Sequence, residues 1–291
     1  MENIRVFLDP SETESLMTKL KENCERKANF RRWQRGIRLV PINFVKNIFE
    51  NSKEDFWNFL NEKHIMSYGH NERLKFKRKI DPEISYFLGW LITDGHIRKG
   101  RNVISITQKF REPLEKLKNI LIREYLIKDT HFKLNFKRTE WRLEIYSAPL
   151  KFILLEYFDI PSGEKHTTIR APKQIMESDN GTIKSAFLSA VIEGDGHVGT
   201  SNQWKGYRYP KIEIIMKNES FLRDIEMIMN SLKIDYTKFK YSNGMFCISV
   251  KKSESFEKVY TNIKNFLSHP KKIDTFSNLI NQNLAKSVTV K

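Results

Sequence analysis

Two stretches decide how this chain is read: FLGWLITDG, residues Phe87 to Gly95, and LSAVIEGDG, residues Leu188 to Gly196. Each lies in an apolar run of helical character, and each leads into Asp-Gly-His, at Asp94-Gly95-His96 and at Asp195-Gly196-His197. Glycine just past a helix is an ordinary stop signal, and aspartate is an ordinary turn residue. Recurrence at matching places, after helices too apolar to lie on a surface, asks for more. An acid in the last turn opposes the helix macrodipole at a cost of about 0.3–1 kcal/mol, so something should compensate for it. Gly89 stands five residues before Asp94, and Ala190 stands five before Asp195. Two helices with such small residues on comparable faces can approach closely. Packed about a pseudo-twofold axis, they would bring both C-terminal ends, and both carboxylates, to one place. Like charges repel there unless cations intervene, and hard divalent ions such as Mg²⁺ or Mn²⁺ suit oxygen ligands of this kind.

Outward from these helices the pattern runs twice in the same order. After the first come the strand NVISITQK, the amphipathic helix REPLEKLKNILIREY, the strand pair HFKLNFK and EWRLEIYS, and the helix APLKFILLEYF. After the second come YPKIEIIMK, ESFLRDIEMIMNSLKI, the strands DYTKFKYS and MFCISVKK about an Asn243-Gly244 hairpin signal, and ESFEKVYTNIKNFL. This is an internal tandem repeat. It predicts an α+β chain built as two αββαββα units, over 81–160 and 183–268, with a linker over 161–182 and a partly helical tail over 269–291.

The paired motifs resemble those that name the LAGLIDADG homing endonucleases, in the form that carries both motifs in one chain. The Asp-Gly ending stands in both copies and a small residue at both helix-contact positions, while Ile92 and Glu193 occupy the family's first acidic position, so only the second acid is kept twice. The resemblance covers Asp81 to about Leu267. It implies two saddle-shaped antiparallel sheets laid along the major groove of double-stranded DNA, a monomer, and divalent-metal hydrolysis of both strands. Asp94 and Asp195, with Gly95 and Gly196, are then the metal set. Gln108 and Lys109 end the first repeat's strand, Met216 and Lys217 end the second's, and in the family a Gln or Lys here orders water and offsets charge near the scissile phosphate. Lys251 is a weaker candidate for the same work, and its first-repeat counterpart is placed near Ala148.

Strand alternation assigns the DNA-facing side chains. Lys133, Asn135 and Lys137 oppose Phe132, Leu134 and Phe136; Arg142, Glu144 and Tyr146 alternate with Leu143 and Ile145; Lys238 and Lys240 share one face of the matching strand in the second half. Mixed polar faces of this kind neutralise phosphates and read base edges. His96 and His197 are read as turn residues.

Residues 1–80 are basic and read as helical. Ser11 and Glu14 form a capping box, Pro41 opens a helix, and KEDFWNFLNEKHI forms a further one. Between them RRWQRGIRLVP resembles the latter part of repressor-type helix-turn-helix domains, which would make Arg31, Arg32 and Gln34 DNA contacts. The 291 residues carry 51 Lys and Arg against 35 Asp and Glu, a net charge of +16, which calls for a polyanionic partner. With 40% hydrophobic residues the chain can bury a real core, so disorder is excluded for most of it. Two distant cysteines, Cys24 and Cys247, support neither a disulfide framework nor a zinc site. No apolar run is long enough to span a membrane, and the start MENIRVFLDP lacks a signal-peptide layout. An intracellular place, cytoplasmic or organellar, is expected. Two competing functions use the same scaffold: a maturase that binds intron RNA, and a DNA-binding regulator without catalysis.

Overall fold

The computed structural model describes residues 4–8, 40–67, 73–164, 168–202 and 208–289. Among them lie three four-stranded antiparallel sheets. The first comprises β1 (Ile4–Val6), β2 (Val40–Pro41), β3 (His64–Ser67) and β4 (Arg73–Lys75), in the order β2-β1-β3-β4. Helices α1 (Ile42–Ile48) and α2 (Lys53–Leu60) accompany it. The N-terminal region is therefore mixed and not all-helical. Its strands are two to four residues long and drawn from distant segments, so period-two alternation has no run in which to show. Pro41 and Ser52 do open the two expected helices, Ser52 by accepting from the Asp55 N–H at 3.1 Å. The Ser11–Glu14 capping box and the helix-turn-helix contacts Arg31, Arg32 and Gln34 lie outside the described residues.

The repeat is present as read. The first unit runs α3 (Pro82–Thr93), β5 (Gly95–Ile97), β6 (Val103–Gln108), α4 (Arg111–Tyr125), β7 (Phe132–Lys137), β8 (Glu140–Tyr146) and α5 (Ala148–Glu156). A short α6 (Lys173–Met176) follows in the linker. The second unit is α7 (Gly181–Gly194), β9 (Gly196–Asn202), β10 (Arg208–Met216), α8 (Glu219–Ser231), β11 (Thr237–Lys240), β12 (Phe246–Val250) and α9 (Ser253–Ile263), and α10 (Pro270–Thr289) closes the chain. The strand orders β5-β6-β8-β7 and β9-β10-β12-β11 are the same. Register fixes the equivalences: Gly95 pairs with Ile106 and Gly196 with Ile214, while Gln108 pairs with Trp141 and Met216 with Phe246. Gln108 thus matches Met216, and Tyr146, two residues before Ala148, matches Lys251.

Helices α3 and α7 form the axis of the molecule. Asp81 caps α3 by accepting from the Ile84 N–H at 2.8 Å, with Pro82 at the first helical position. Tyr86, Phe87, Leu88, Trp90 and Leu91 are all buried, as a helix apolar on every side must be. At the crossing, a Cβ on Gly89 would lie 2.6 Å from the Ala190 Cβ and 2.9 Å from the Phe187 carbonyl oxygen. No larger residue fits at that spacing. Ser85, also buried, ties the pair together by donating to the Ile183 carbonyl at 2.8 Å.

Each repeat sheet lays one face on helices. Ile104, Ile106, Leu143 and Ile145 face the core in the first, and Ile212, Ile214, Ile248 and Val250 in the second. The N-terminal sheet shares a core with the first unit through Trp57, whose ring lies 5.7 Å from Phe152 and 4.9 Å from Tyr157. Among the described residues no helix is long and apolar enough to cross a membrane.

Candidate catalytic centre and nucleic-acid face

Asp94 and Asp195 cap the C-terminal ends of α3 and α7, their N–H groups donating to the Trp90 and Val191 carbonyls at 3.0 Å. The glycine after each begins a strand that doubles back over the last turn. A Cβ there would sit 2.5 Å from the Leu91 carbonyl oxygen at Gly95, and 2.7 Å from that of Ile192 at Gly196. That close approach is the local reason for Asp-Gly at both ends. Because the helices cross at Gly89 and Ala190, the two ends emerge side by side: Asp94 Oδ2 lies 3.2 Å from where a Cβ of Gly194, the neighbour of Asp195, would stand.

Around this pair the halves differ. Gln108 donates from Nε2 to Asp94 Oδ2 at 3.1 Å, its own Oε1 turned to accept from the Lys109 N–H at 2.7 Å. In the second half Met216 takes that place. There a cavity of about 550 Å³ opens beside Asp195, with Thr93, Met216, Lys217, Asn218 and Met245 among its lining residues. Lys109 and Lys217 are both exposed at matching strand ends.

Lys251 is not brought to the aspartates. Phe246, at the start of β12, pairs with Met216 beside the Asp195 cavity, whereas Val250 pairs with Ile212 at the far end. Beyond it the Lys251 ammonium lies 5.7 Å over the Phe239 ring. Gly196 does not present a bare carbonyl to a metal either, since its oxygen accepts from Lys272 Nζ at 2.6 Å.

Glu193, in the first acidic position of the motif, is buried and serves another purpose. Its carboxylate accepts from the Tyr86 hydroxyl at 2.5 Å, the Ser268 N–H at 2.6 Å and the His269 N–H at 2.5 Å, fastening the start of α10. Burial raises its proton affinity above the usual carboxylate range. Lys272, from the first turns of α10, donates to the carbonyls of Ile192, Glu193 and Gly196. Burial brings its pKa down to about 8, against the opposing pull of Glu193, Asp94 and Asp195. Sequence reasoning missed Lys272. The opposed dipole announced that a cation was needed, but nothing marked one 76 residues beyond Gly196.

The sheet faces away from the helices are the candidate nucleic-acid surface. In the first half, register puts Lys133 beside Glu144, Asn135 beside Arg142 and Lys137 beside Glu140, and Tyr146 on the same side, its hydroxyl donating to Glu144 at 2.8 Å. Lys133, Asn135, Lys137, Arg142 and Tyr146 thus stand on the face where alternation placed them. In the second half Lys238 and Lys240 do not: they align with the core-side Leu134 and Phe136. Lys238 lies 3.2 Å from Glu226 of α8, and Lys240 sits 4.8 Å over the Phe246 ring. The outward residues of β11 are Thr237 and Phe239, with the exposed Tyr241 just beyond. Alternation sorts residues into two sets without saying which set meets the helices, and the apolar Phe239 invites the wrong choice.

The sequence matches the LAGLIDADG-like domain family over residues 81–151 and 182–264, together more than half of the chain. The chain belongs to the LAGLIDADG family. Similar solved structures include mesophilic variants of the homing endonuclease I-DmoI, at 17% identity and a TM-score of 0.44 over 63% of this chain and 96% of that one. The homing endonuclease I-WcaI bound to its DNA recognition sequence is similar at 15% identity and a TM-score of 0.47, over 68% and 88%. The N-terminal LAGLIDADG domain of DUF199/WhiA is similar at 11% and 0.39, over 65% and 82%. No curated protein matches the chain. In this LAGLIDADG chain no group of three His, Cys, Asp or Glu side chains gathers among the described residues. The hard oxygen donors of the centre are the two motif carboxylates, a donor set whose chemistry suits a divalent cation such as Mg²⁺ or Mn²⁺.

Proposed function

We propose that this LAGLIDADG protein is a site-specific, metal-dependent endonuclease, acting as a monomer on both strands of a long double-stranded DNA target inside the cell. The observation that carries the reading is the convergence of Asp94 and Asp195 at the ends of two crossing helices, flanked by two open sheet faces. Asp94 and Asp195 would hold Mg²⁺ or Mn²⁺, and a bound ion supplies Lewis-acid stabilisation of charge on the phosphate and a more acidic water. Gln108 orients the Asp94 carboxylate and offers a place for ordered water. Lys109 and Lys217 reach phosphate oxygens on opposite sides of the axis. Lys133, Asn135, Lys137, Arg142 and Tyr146 follow the groove of the first half-site, and the basic segment around Arg31, Arg32 and Gln34 extends the footprint.

Asp94→Asn or Asp195→Asn is expected to abolish cleavage while keeping affinity for the same duplex within about tenfold, ~1.4 kcal/mol, because affinity comes from many phosphate contacts. Strand-resolved cleavage and gel-shift titration measure both. Mg²⁺-dependent cutting by the double variant would remove the metal assignment. Binding to intron RNA in preference to duplex DNA, without cutting, would favour the maturase reading.

A further inference from the structure

At the last turn of α7, which presents Asp195, the Asp195 N–H reaches back to the Val191 and Ile192 carbonyls, and the carbonyls after them run out of helical partners. One ammonium serves this turn and the strand after it: Lys272 Nζ donates to the oxygens of Glu193 at 2.7 Å and Gly196 at 2.6 Å, and to that of Ile192. Three acceptors converging on a point match the three protons of an ammonium. Lys272 belongs to α10, outside both segments that match the family. Independent contacts fix α10 there: Glu193 holds Ser268 and His269, and the buried Phe276 ring lies 5.3 Å from Phe256 and 5.6 Å from Tyr260. Glu193 and Gly196 flank Asp195 in the chain, and Asp94 Oδ2 lies 3.2 Å from where a Cβ of Gly194 would stand, so the turn that the ammonium holds is the one against which both carboxylates gather.

We propose that Lys272 is a positioning residue of the catalytic centre, a built-in cation that closes the end of α7 and offsets the charge of Asp94 and Asp195, so that the two carboxylates keep one arrangement before a divalent ion arrives. The catalytic consequence rests on the nuclease reading, whereas the counter-charge does not. Lys272 touches no substrate. It acts through the turn that it holds.

The test compares the full-length protein with Lys272→Met. Without DNA, the rise in melting temperature on adding millimolar MnCl₂ is measured for both; removing a cation from beneath two carboxylates should tighten ion binding by about fivefold or more, so the variant's rise should exceed that of the wild type. With DNA, single-turnover cutting should slow by about 100-fold, the scale of a misplaced reacting geometry, with affinity for the duplex within about threefold. Equal ion responses overturn the counter-charge, and wild-type cutting overturns the positioning role. If the two ion responses differ but the wild type cuts no duplex, the nuclease reading fails and the counter-charge stands. Should Lys272→Met not fold even with Mn²⁺, Lys272→Arg decides, since it keeps the charge but offers a flat fork: slowed cutting with a wild-type ion response supports the proposal, and wild-type cutting overturns it.

Discussion

Gln108 and Met216 occupy one structural position in two halves, and they can do different things there. The amide of Gln108 donates to the Asp94 carboxylate at 3.1 Å, whereas a thioether donates no proton and orders water poorly. The strand served by the Asp195 side should therefore be cut more slowly, by roughly 10²-fold if a missing donor near developing charge is not replaced. A nicked plasmid intermediate should accumulate, always open in the same strand, and Met216→Gln should shorten its lifetime. Equal strand rates in the wild type, followed by strand-labelled time courses, would remove the argument. Both residues were legible because each ends a strand whose distance from an Asp-Gly motif can be counted. Lys272 was not, because its role depends on a helix that folds back from far along the chain. Lys251 was misjudged for a related reason: only register shows that it lies at the other end of β12.

The α3–α7 crossing is the element on which the centre depends. A methyl group on Gly89 would meet the Ala190 Cβ at 2.6 Å and backbone oxygen at 2.9 Å, and neither can rotate away. Gly89→Ala should push the helices apart at a cost of about 1–3 kcal/mol, against which the gain in helix propensity is under about 1 kcal/mol. Thermal melting should show a net loss, and cleavage should fall further than stability does, because the carboxylates separate with the helices. Unchanged melting and cutting would mean that the crossing is looser than its geometry. The helix pair was readable since two apolar runs ended alike. The N-terminal sheet was not, because β1 and β2 are supplied by residues more than thirty positions apart.

Across the whole molecule, a net charge of +16 sets the expectation that DNA affinity falls steeply with salt, at a log–log slope of about −0.9 per phosphate neutralised. The distribution of that charge sharpens the test. Lys133 is exposed on the open face of the first sheet, while Lys238 is turned to Glu226 on the helix side. Lys133→Gln should lower the slope by about one phosphate's worth, and Lys238→Gln should leave it unchanged. Measured by gel shift over a salt series, the reverse result would restore the face that strand alternation suggested.

The two halves also differ in what they lean on. The first joins the N-terminal sheet through Trp57, Phe152 and Tyr157, and through Lys46, whose ammonium lies 2.7 Å from Glu156. The second is closed by α10 through Phe276 and Lys272. The exchangeable module is therefore longer than the repeat. A chimaera that grafts the first half onto a foreign partner has to carry the N-terminal sheet with it, and one that grafts the second has to carry the C-terminal helix. A crossover placed in the linker between the halves is therefore expected to keep both supports, whereas one at the outer edge of a repeat would strand an aromatic core on one side or a turn without its cation on the other.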